Sequence, residues 1–217
     1  MSADRMASPN LERPWPPGQT SVDTFPIYDI ISPRPVFNPA TYRLIVQGAV
    51  ERPFALTWPA LQALPTVEVV AHFHCVTKWS KERLVWEGIP TRLLVERARP
   101  KAEVVQVMAR GLDGYTTNVP LEYLLEPDTL LACRLNGQPL LPEHGAPLRL
   151  VVPQLYAWKS AKYLSGLVFQ TDWVPGFWEE RGYHLIGDPW EEQRYTEPLE
   201  QVRRWWRAVR RTEVERP

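Results

Sequence analysis

Short apolar stretches rich in β-branched residues recur along the chain, and they predict more strand than helix. Most are too short for a helix and are bounded by glycine or proline, which is typical of strands in a sheet. The predicted strands cover residues 42–48, 67–70, 104–109, 115–119, 130–135, 148–152 and 164–170. Two connections are also predicted, a loop at residues 111–114 and a tight hairpin at Asn136 and Gly137.

Helical spacing is confined to brief segments between these strands. Thr57 is predicted to cap a helix over residues 57–64, and Thr91 is predicted to cap a second one. A further helical turn is expected over residues 121–125, whereas residues 86–90 are predicted as a turn. Because no strand–helix–strand unit repeats, the predicted fold class is α+β, a sheet-rich mixed domain with short helices.

The density of apolar residues divides the chain into three parts. Residues 1–24 are polar and proline-rich without any period, so we interpret them as an extended N-terminal arm. Residues 25–195 hold the strands and form the predicted domain. Residues 196–217 carry Trp205 and Trp206 among arginines at helical spacing, which predicts a C-terminal helix. A chain of 217 residues buries enough surface to fold without a disulfide or a structural metal.

The charge balance and the cysteine content exclude several classes of protein. Lys and Arg number 25, as do Asp and Glu, so the net charge is zero and no global basic field for nucleic acid follows. No stretch approaches the roughly 18 apolar residues of a membrane span. The 2 cysteines make no disulfide framework, which is typical of a reducing compartment. Residues 1–6 lack the apolar run of a signal peptide, and we expect a cytoplasmic protein.

Candidate chemistry is concentrated in residues 71–80, directly after the predicted strand at 67–70. His72 and His74 precede Cys75 there, and the thiol can be an inert core group, a nucleophile with a histidine base, or a metal ligand. On a regular strand the two histidines share one face and Cys75 points to the other, so three ligands converge only if the strand ends at His74. A zinc site is therefore not expected.

Two segments resemble one known family. Residues 74–80 (HCVTKWS) are similar to the segment that carries the molybdenum-ligating cysteine in the sulfite oxidase-like molybdopterin oxidoreductases. Residues 145–162 resemble the same family's Gly-x-Pro-x-Arg-hydrophobic-Pro pattern with its following Lys-x-x-Lys, which lines the pterin pocket. The two segments follow each other in the family's order, and the resemblance covers residues 25–195.

The resemblance implies the fold of the sulfite oxidase molybdopterin-binding domain, with molybdenum and molybdopterin as cofactors. It implies that Cys75 gives a thiolate to the metal, which suits the affinity of redox metals for soft ligands. Arg149 is expected to bind the pterin phosphate bidentately, and Lys162 to act as a point charge. Lys78 is a candidate for attracting an oxyanion substrate. The other cofactor-binding residues that the resemblance implies are His74, Asp113, His144, Ser160 and Ala161.

The activity expected from this resemblance is two-electron oxygen-atom transfer on a small oxo-substrate, either sulfite-like or an S- or N-oxide. Electrons would pass to or from a separate carrier. Two alternatives stay open. One is a metal-independent enzyme with Cys75 as nucleophile and His72 or His74 as base. The other is a cofactor-free binding module that uses the aromatic loop at residues 173–190 and the C-terminal tail.

Overall fold

The computed structural model describes residues 4–196, and this part of the chain is rich in sheet. The strands are β1 (Asp4–Ala7), β2 (Thr20–Ser21), β3 (Arg43–Gly48), β4 (Phe54–Thr57), β5 (Val67–His74), β6 (Trp79–Pro90), β7 (Gln106–Gly111), β8 (Thr116–Pro120), β9 (Leu130–Leu135), β10 (Gln138–Pro139), β11 (Arg149–Val151) and β12 (Leu164–Gln170). The α-helices are α1 (Trp58–Gln62), α2 (Thr91–Ala98) and α3 (Leu121–Leu125). The predicted α+β class with short helices is confirmed. The C-terminal helix predicted for residues 196–217 lies outside the described residues, apart from Thr196.

The strands form two mixed sheets. The first sheet has the order β1-β5-β6-β9-β10, with β11 beside β9 and β2 beside β6. The second sheet has the order β4-β3-β12-β7-β8. Strand β1 runs parallel to β5, β2 to β6 and β3 to β12, while the other described pairs are antiparallel. No α-helix within residues 4–196 is long and apolar enough to cross a membrane.

Two hydrophobic cores lie on opposite faces of the first sheet. Side chains alternate between the faces of a strand, so Leu131 of β9 enters the core that is shared with the second sheet, whereas Leu130 and Ala132 enter the other core. The shared core also receives buried side chains from α1, α2 and α3. The other core is built around Phe73 and Trp86 of the β5–β6 hairpin, and it borders the cavity that holds the candidate site.

Several predicted elements are confirmed. The Thr57 hydroxyl accepts a hydrogen bond from the Ala60 N–H and so caps α1. The hairpin at Asn136 and Gly137 joins β9 to β10, and the loop at residues 111–114 joins β7 to β8.

Two local predictions are wrong. Residues 86–90 are not a turn but continue β6, which pairs with β5 on one side and with β9 on the other. Gly88 is needed there for a close approach of strands, since a Cβ at that position would lie 2.0 Å from the Leu131 carbonyl oxygen. Thr91 does not cap α2, because its hydroxyl is directed to the carbonyl oxygens of Leu124 and Thr129 at 2.6 and 3.0 Å.

The N-terminal residues interpreted as an arm contribute β1 and β2 to the first sheet. Asn10, between these two strands, is buried. Its Nδ2 donates to the carbonyl oxygens of His72 (2.9 Å) and Pro153 (3.0 Å), and its Oδ1 accepts from the His72 N–H (3.1 Å). One amide side chain thus satisfies three backbone groups and fixes the N-terminal segment beside the strand that leads to Cys75.

The hairpin of β5 and β6 presents Cys75 at its turn. Strand β5 ends at His74, and the turn is closed by two hydrogen bonds, from the Cys75 N–H to the Trp79 carbonyl (2.8 Å) and from the Lys78 N–H to the Cys75 carbonyl (3.1 Å). Lys78 has a φ of 75°, the left-handed conformation that often ends such turns. The thiol is therefore held at the end of a buried strand.

Replacing Asn10 with alanine tests the anchoring of the N-terminal segment. Asn10→Ala leaves three backbone groups without their partner, so we expect the free energy of unfolding to fall by about 1–3 kcal/mol. Equilibrium urea unfolding measures this change. The exposed neighbour Glu12 offers a control, since Glu12→Ala should change stability by less than about 0.5 kcal/mol. Equal effects of the two substitutions would contradict the anchoring role of Asn10.

Candidate active site

A cavity lies beside the Cys75 turn, and aromatic side chains form much of its wall. Cys75 and Arg149, which were predicted from two separate motifs, line this same cavity. The other predicted site residues that line it are Asp113, His144, Ser160 and Lys162. The two motif segments also contribute Thr77, Trp79 and Trp158, and other segments contribute Phe25, Tyr28, Asp29, Tyr115, Trp178 and Tyr183. The fold thus brings the two motifs together around one volume.

The Cys75 thiol is buried, and its Sγ accepts a hydrogen bond from Thr77 Oγ1 at 3.2 Å. Burial raises the pKa of the thiol, while the hydrogen bond from Thr77 and the charge of Arg194 oppose part of that rise. A buried thiol with a raised pKa is a poor nucleophile by itself. The same thiol is a suitable metal ligand, because a bound cation removes its proton.

His72 and His74 lie on the opposite face of β5 from the cavity, as their alternation with Phe73 requires. Their ring centroids are 6.0 Å apart, and both rings form edge-to-face contacts with Trp15. Burial lowers the pKa of His74 to about 3, so this imidazole is neutral. His74, which the resemblance implied as a cofactor-binding residue, does not line the cavity. The metal-independent alternative also loses its base, because neither histidine lines the cavity with Cys75.

Arg149 is a buried cation, only 5% exposed, and no carboxylate of the described residues forms an ion pair with it. One of its terminal nitrogens donates to the His144 carbonyl at 3.1 Å, and its Nε has no hydrogen-bond partner. The guanidinium carbon lies 5.0 Å from the centre of the Phe73 ring and 5.7 Å from that of Trp86, distances typical of cation–π contacts. Burial lowers the pKa of Arg149 to about 10, so it is charged at neutral pH.

Lys162 uses its ammonium to hold the walls of the cavity. Its Nζ donates to the carbonyl oxygens of Tyr28 and Glu143, both at 2.6 Å, and lies 3.4 Å from Asp29 Oδ1. Burial, and then the nearby charge of Arg149, lower the pKa of Lys162 to about 8. Lys162 thus lines the cavity as expected, but its three donors already have protein acceptors.

The remaining predicted cofactor residues differ in their placement. The His144 ring stacks on Phe25 with centroids 4.8 Å apart, and burial lowers its pKa. Asp113 Oδ1 accepts from the Tyr115 N–H at 3.0 Å, and burial raises the pKa of this carboxyl. Ser160 Oγ accepts from a backbone N–H at 3.0 Å. Ala161 does not line the cavity, because its side chain points into the core shared by the two sheets.

Lys78 is also absent from the cavity wall. Its side chain is exposed, and its backbone carbonyl accepts a hydrogen bond from the Thr20 N–H at 2.9 Å. Lys78 adopts its left-handed conformation at the end of the hairpin turn, directly before β6, and its side chain extends into solvent. The structure therefore does not bring Lys78 to the position expected for a residue that attracts substrate.

A buried ion pair supports the cavity from outside. Lys159 and Glu179 are 2.6 Å apart, and both side chains are fully buried. Lys159 also donates to Asn118 and to the Leu185 carbonyl, while Glu179 accepts from Thr117 and from the indole N–H of Trp158 at 2.9 Å. Because Trp158 lines the cavity, this network fixes one of its walls. The first lysine of the Lys-x-x-Lys pattern thus has a structural role here.

Sequence reasoning missed Phe25, Tyr28 and Asp29 in the cavity wall, and it named Trp178 and Tyr183 only within the aromatic loop at residues 173–190 of the alternative binding module. Phe25, Tyr28 and Asp29 come from a segment without regular structure, and Trp178 and Tyr183 from another. Neither segment has a periodic pattern that would reveal which side chains point inward. For the first segment, the one signal in the sequence was the rise in apolar residues at positions 25–28. That signal indicated where the domain begins and did not indicate a cavity wall.

The polar groups fit a cofactor that has an anionic end and brings its own metal. The described residues contain no cluster of three or more His, Cys, Asp and Glu side chains that could hold a metal ion. A metal at Cys75 would therefore need further ligands from a cofactor. The buried Arg149, with its unpartnered Nε and no carboxylate, suits a phosphate in the same cavity.

Comparison with known families agrees with these features. The model of the oxidoreductase molybdopterin binding domain matches residues 31–178, more than half of the chain. The chain belongs to this family, and it is a molybdopterin-dependent oxidoreductase whose domain binds molybdenum through molybdopterin. The predicted sulfite oxidase-like type and its cofactors are confirmed.

Particular relatives place the chain within the family. It is 43% identical over 182 residues to the uncharacterized oxidoreductase YuiH of Bacillus subtilis, covering 83% of this chain and 91% of that protein. It is 29% identical to the catalytic subunit MsrP of the protein-methionine-sulfoxide reductase of Campylobacter jejuni, covering 70% of this chain and 59% of that one. The crystal structure of the sulfane dehydrogenase SoxCD from Paracoccus pantotrophus is similar with a TM-score of 0.59 and 25% identity, over 65% of this chain and 41% of that one.

Replacing Arg149 with methionine separates cofactor binding from stability. The buried cation has no carboxylate partner, so we expect Arg149→Met to raise the free energy of unfolding of the cofactor-free protein by about 1–4 kcal/mol. The same substitution should abolish retention of molybdopterin, measured by molybdenum and phosphate analysis.

Lys162→Met provides a contrasting variant. It removes hydrogen bonds to two backbone carbonyls and should destabilise the cofactor-free protein by about 1–3 kcal/mol. A cofactor-free Arg149→Met protein less stable than the unsubstituted one would contradict the assignment of Arg149 as an anion site.

Proposed function

We propose that this oxidoreductase carries out two-electron oxygen-atom transfer on a small, uncharged oxo-substrate such as an S-oxide or N-oxide, with Cys75 as the protein ligand of molybdenum. The observation that carries the proposal is that a buried thiol and a buried, unpaired guanidinium line one cavity. A dithiolene-bound metal needs a soft thiolate, and its pterin phosphate needs a fixed cation. These are the two groups that the cavity supplies.

The chain's own residues bind and shield the reacting centre. Arg149 holds the anionic end of the cofactor, and Thr77 donates a hydrogen bond to the Cys75 sulfur, which weakens the electron donation of the thiolate. Aromatic side chains such as Trp79, Trp158 and Trp178 exclude water from the cavity. The bound cofactor supplies the chemistry of the oxygen atom and of the electron pair.

The charges of the residues that line the cavity favour an uncharged substrate. Among the described lining residues, the cations at neutral pH are Arg149 and Lys162, and Lys162 already lies beside Asp29 and two carbonyl oxygens. Burial lowers the pKa of His144, which keeps that ring neutral. Among these lining residues, Arg149 is then the one cation without a carboxylate partner, and it binds the pterin phosphate. A sulfite anion would enter the cavity without a partner, which costs several kcal/mol.

The relatives support both the substrate class and a separate electron carrier. The Campylobacter jejuni relative is named as the catalytic subunit of a protein-methionine-sulfoxide reductase, and a sulfoxide is an uncharged oxo group. A subunit of that kind works with a partner. In the reducing direction the carrier delivers two electrons with two protons, the sulfoxide loses its oxygen as water, and a thioether is released.

Substitution of the two cysteines tests the metal ligand. Cys75→Ser should remove one sulfur neighbour of molybdenum, counted by X-ray absorption at the metal edge, and lower turnover by at least about 100-fold, roughly 3 kcal/mol in the barrier. Cys133→Ser is the matched control, because Cys133 belongs to β9 and does not line the cavity. An unchanged sulfur count in Cys75→Ser would end the assignment.

Steady-state kinetics tests the substrate class. With an artificial electron donor or acceptor, we expect kcat/KM for an aryl methyl sulfoxide to exceed that for sulfite by at least about 100-fold, because the unpaired anion loses roughly 3 kcal/mol. The pH should be held at 7–8 so that sulfite stays ionised. A kcat/KM for sulfite equal to or above that for the sulfoxide would show that the cavity accepts an oxyanion.

A further inference from the structure

The Cys75 turn is held by two side chains from opposite ends of the described chain. Gln19 Nε2 donates to the Cys75 carbonyl at 3.0 Å. A terminal nitrogen of Arg194 donates to the Val76 carbonyl at 2.6 Å. The turn's own backbone hydrogen bonds involve the Cys75 N–H and carbonyl and the Lys78 N–H. The carbonyl of Val76 therefore depends on a side chain outside the hairpin.

Gln19 is itself fixed by a polar chain on the histidine side of β5. Ser80 Oγ donates to Gln19 Oε1 at 3.0 Å, and His74 Nδ1 lies 2.7 Å from the same hydroxyl. Since a serine hydroxyl has a single proton and gives it to Gln19, His74 must donate from Nδ1. The amide of Gln19 is thus oriented with its nitrogen toward Cys75. His74 thus acts on the site indirectly, through Ser80 and Gln19, and does not contact the cofactor.

Arg194 is fixed even more firmly. It is 5% exposed, its second terminal nitrogen donates to the Pro17 carbonyl at 3.1 Å, and its guanidinium lies 4.8 Å from the centre of the Tyr156 ring. Glu192 is its carboxylate neighbour, 3.7 Å away and with a side chain that is 54% exposed. Because the Glu192 carboxylate is exposed to water, it offsets only a small part of the electrostatic field of Arg194. The Cys75 turn therefore lies in a positive potential.

Both residues lie outside the part of the chain that the family model matches, residues 31–178. The cysteine segment and the guanidinium segment lie inside it. The clamp on the Cys75 turn is therefore added by the flanking sequence of this chain, and neither residue belongs to the motifs that define the cofactor pocket.

We propose that Gln19 and Arg194 are positioning residues that fix the direction of the Cys75 sulfur toward the metal, and that Arg194 also raises the reduction potential of the centre by its charge. The inference rests on the proposed role of Cys75 as the metal ligand. A tilt of the turn by a fraction of an ångström changes the angle at the sulfur, and neither residue lines the cavity to act directly.

Three variants separate position from charge. Gln19→Leu removes a carbonyl contact without changing charge, so the Mo(V) electron paramagnetic resonance spectrum should broaden into several species while the midpoint potential stays unchanged. Arg194→Met should broaden the spectrum and also lower the potential, because the nearby cation is lost. Arg194→Lys keeps the positive charge, so its midpoint potential should equal that of the unsubstituted enzyme. Its Mo(V) spectrum should remain as broad as that of Arg194→Met. Turnover should fall by about 10- to 100-fold in Gln19→Leu and Arg194→Met at equal molybdenum content.

Amide hydrogen exchange of the cofactor-free protein provides a second readout. Loss of the clamp should speed exchange at the Cys75 and Lys78 amides in Gln19→Leu, with no change in β7 or β12. Thr91→Val is the control, since Thr91 is fully buried and its hydroxyl donates to two backbone carbonyls far from the turn. It should lower stability and leave the spectrum and the potential unaltered.

The outcomes distinguish this inference from the proposed function. A single sharp Mo(V) spectrum in both Gln19→Leu and Arg194→Met, with unchanged exchange at the turn, would overturn the clamp while leaving Cys75 as the ligand. A Cys75→Ser protein with the spectrum of the unsubstituted enzyme would overturn the proposed function itself. Broadening in Thr91→Val as large as in Gln19→Leu would show that general destabilisation is the cause, and would also overturn the clamp.

Discussion

The candidate site depends on the burial of the Arg149 guanidinium without a carboxylate partner. Placing a full charge among Phe73, Trp86 and Phe25 costs free energy, and the cation–π contacts and one carbonyl hydrogen bond return only part of it. Within residues 4–196, no carboxylate pairs with this guanidinium, and its Nε has no hydrogen-bond partner. An anionic group that enters the cavity therefore gains an interaction in a medium of low dielectric constant, where a charge pair is several times stronger than in water. This gain is the physical basis on which we propose Arg149 as the residue that binds the anionic end of the cofactor.

The two-core architecture explains how such a site can be stable. The core shared by the sheets contains apolar side chains from eight strands and three helices of the described residues and supplies most of the hydrophobic burial. The second core is smaller, and polar groups interrupt it at the cavity. Strand β9 contributes to both, so the functional face is attached to a rigid apolar layer. The buried ion pair of Lys159 and Glu179 makes the opposite wall of the cavity rigid in the same way. Every donor of the Lys159 ammonium has an acceptor there.

Much of the fold could be predicted from the sequence, because β-branched runs and turn residues act locally. The strands before Cys75 and after Lys162, the cap at Thr57 and the hairpin at Asn136 are of this kind. Local rules failed at Gly88, where a glycine serves a close approach to β9 rather than a turn. The site residues in the two motifs were predicted by resemblance, yet three of them lie outside the cavity. Strand alternation directs His74 to the other face of β5, Lys78 extends into solvent from the Cys75 turn, and Ala161 packs in the core shared by the two sheets. The contributions of Phe25, Gln19 and Arg194 depend on contacts between distant segments, and such contacts leave no periodic pattern.

The segments on either side of residues 31–178 contact the β5–β6 hairpin, and these contacts determine how short a fragment of the domain can be excised or grafted. Strands β1 and β2 lie beside β5 and β6, Asn10 joins the same hairpin, and Arg194 reaches it from the other end of the described chain. A fragment trimmed to residues 31–178 would keep every motif by which the family is identified. It would nevertheless expose the outer edge of β5 and release the carbonyl of Val76. The smallest transplantable unit is therefore set by these flanking contacts and is longer than the segment that the family model matches.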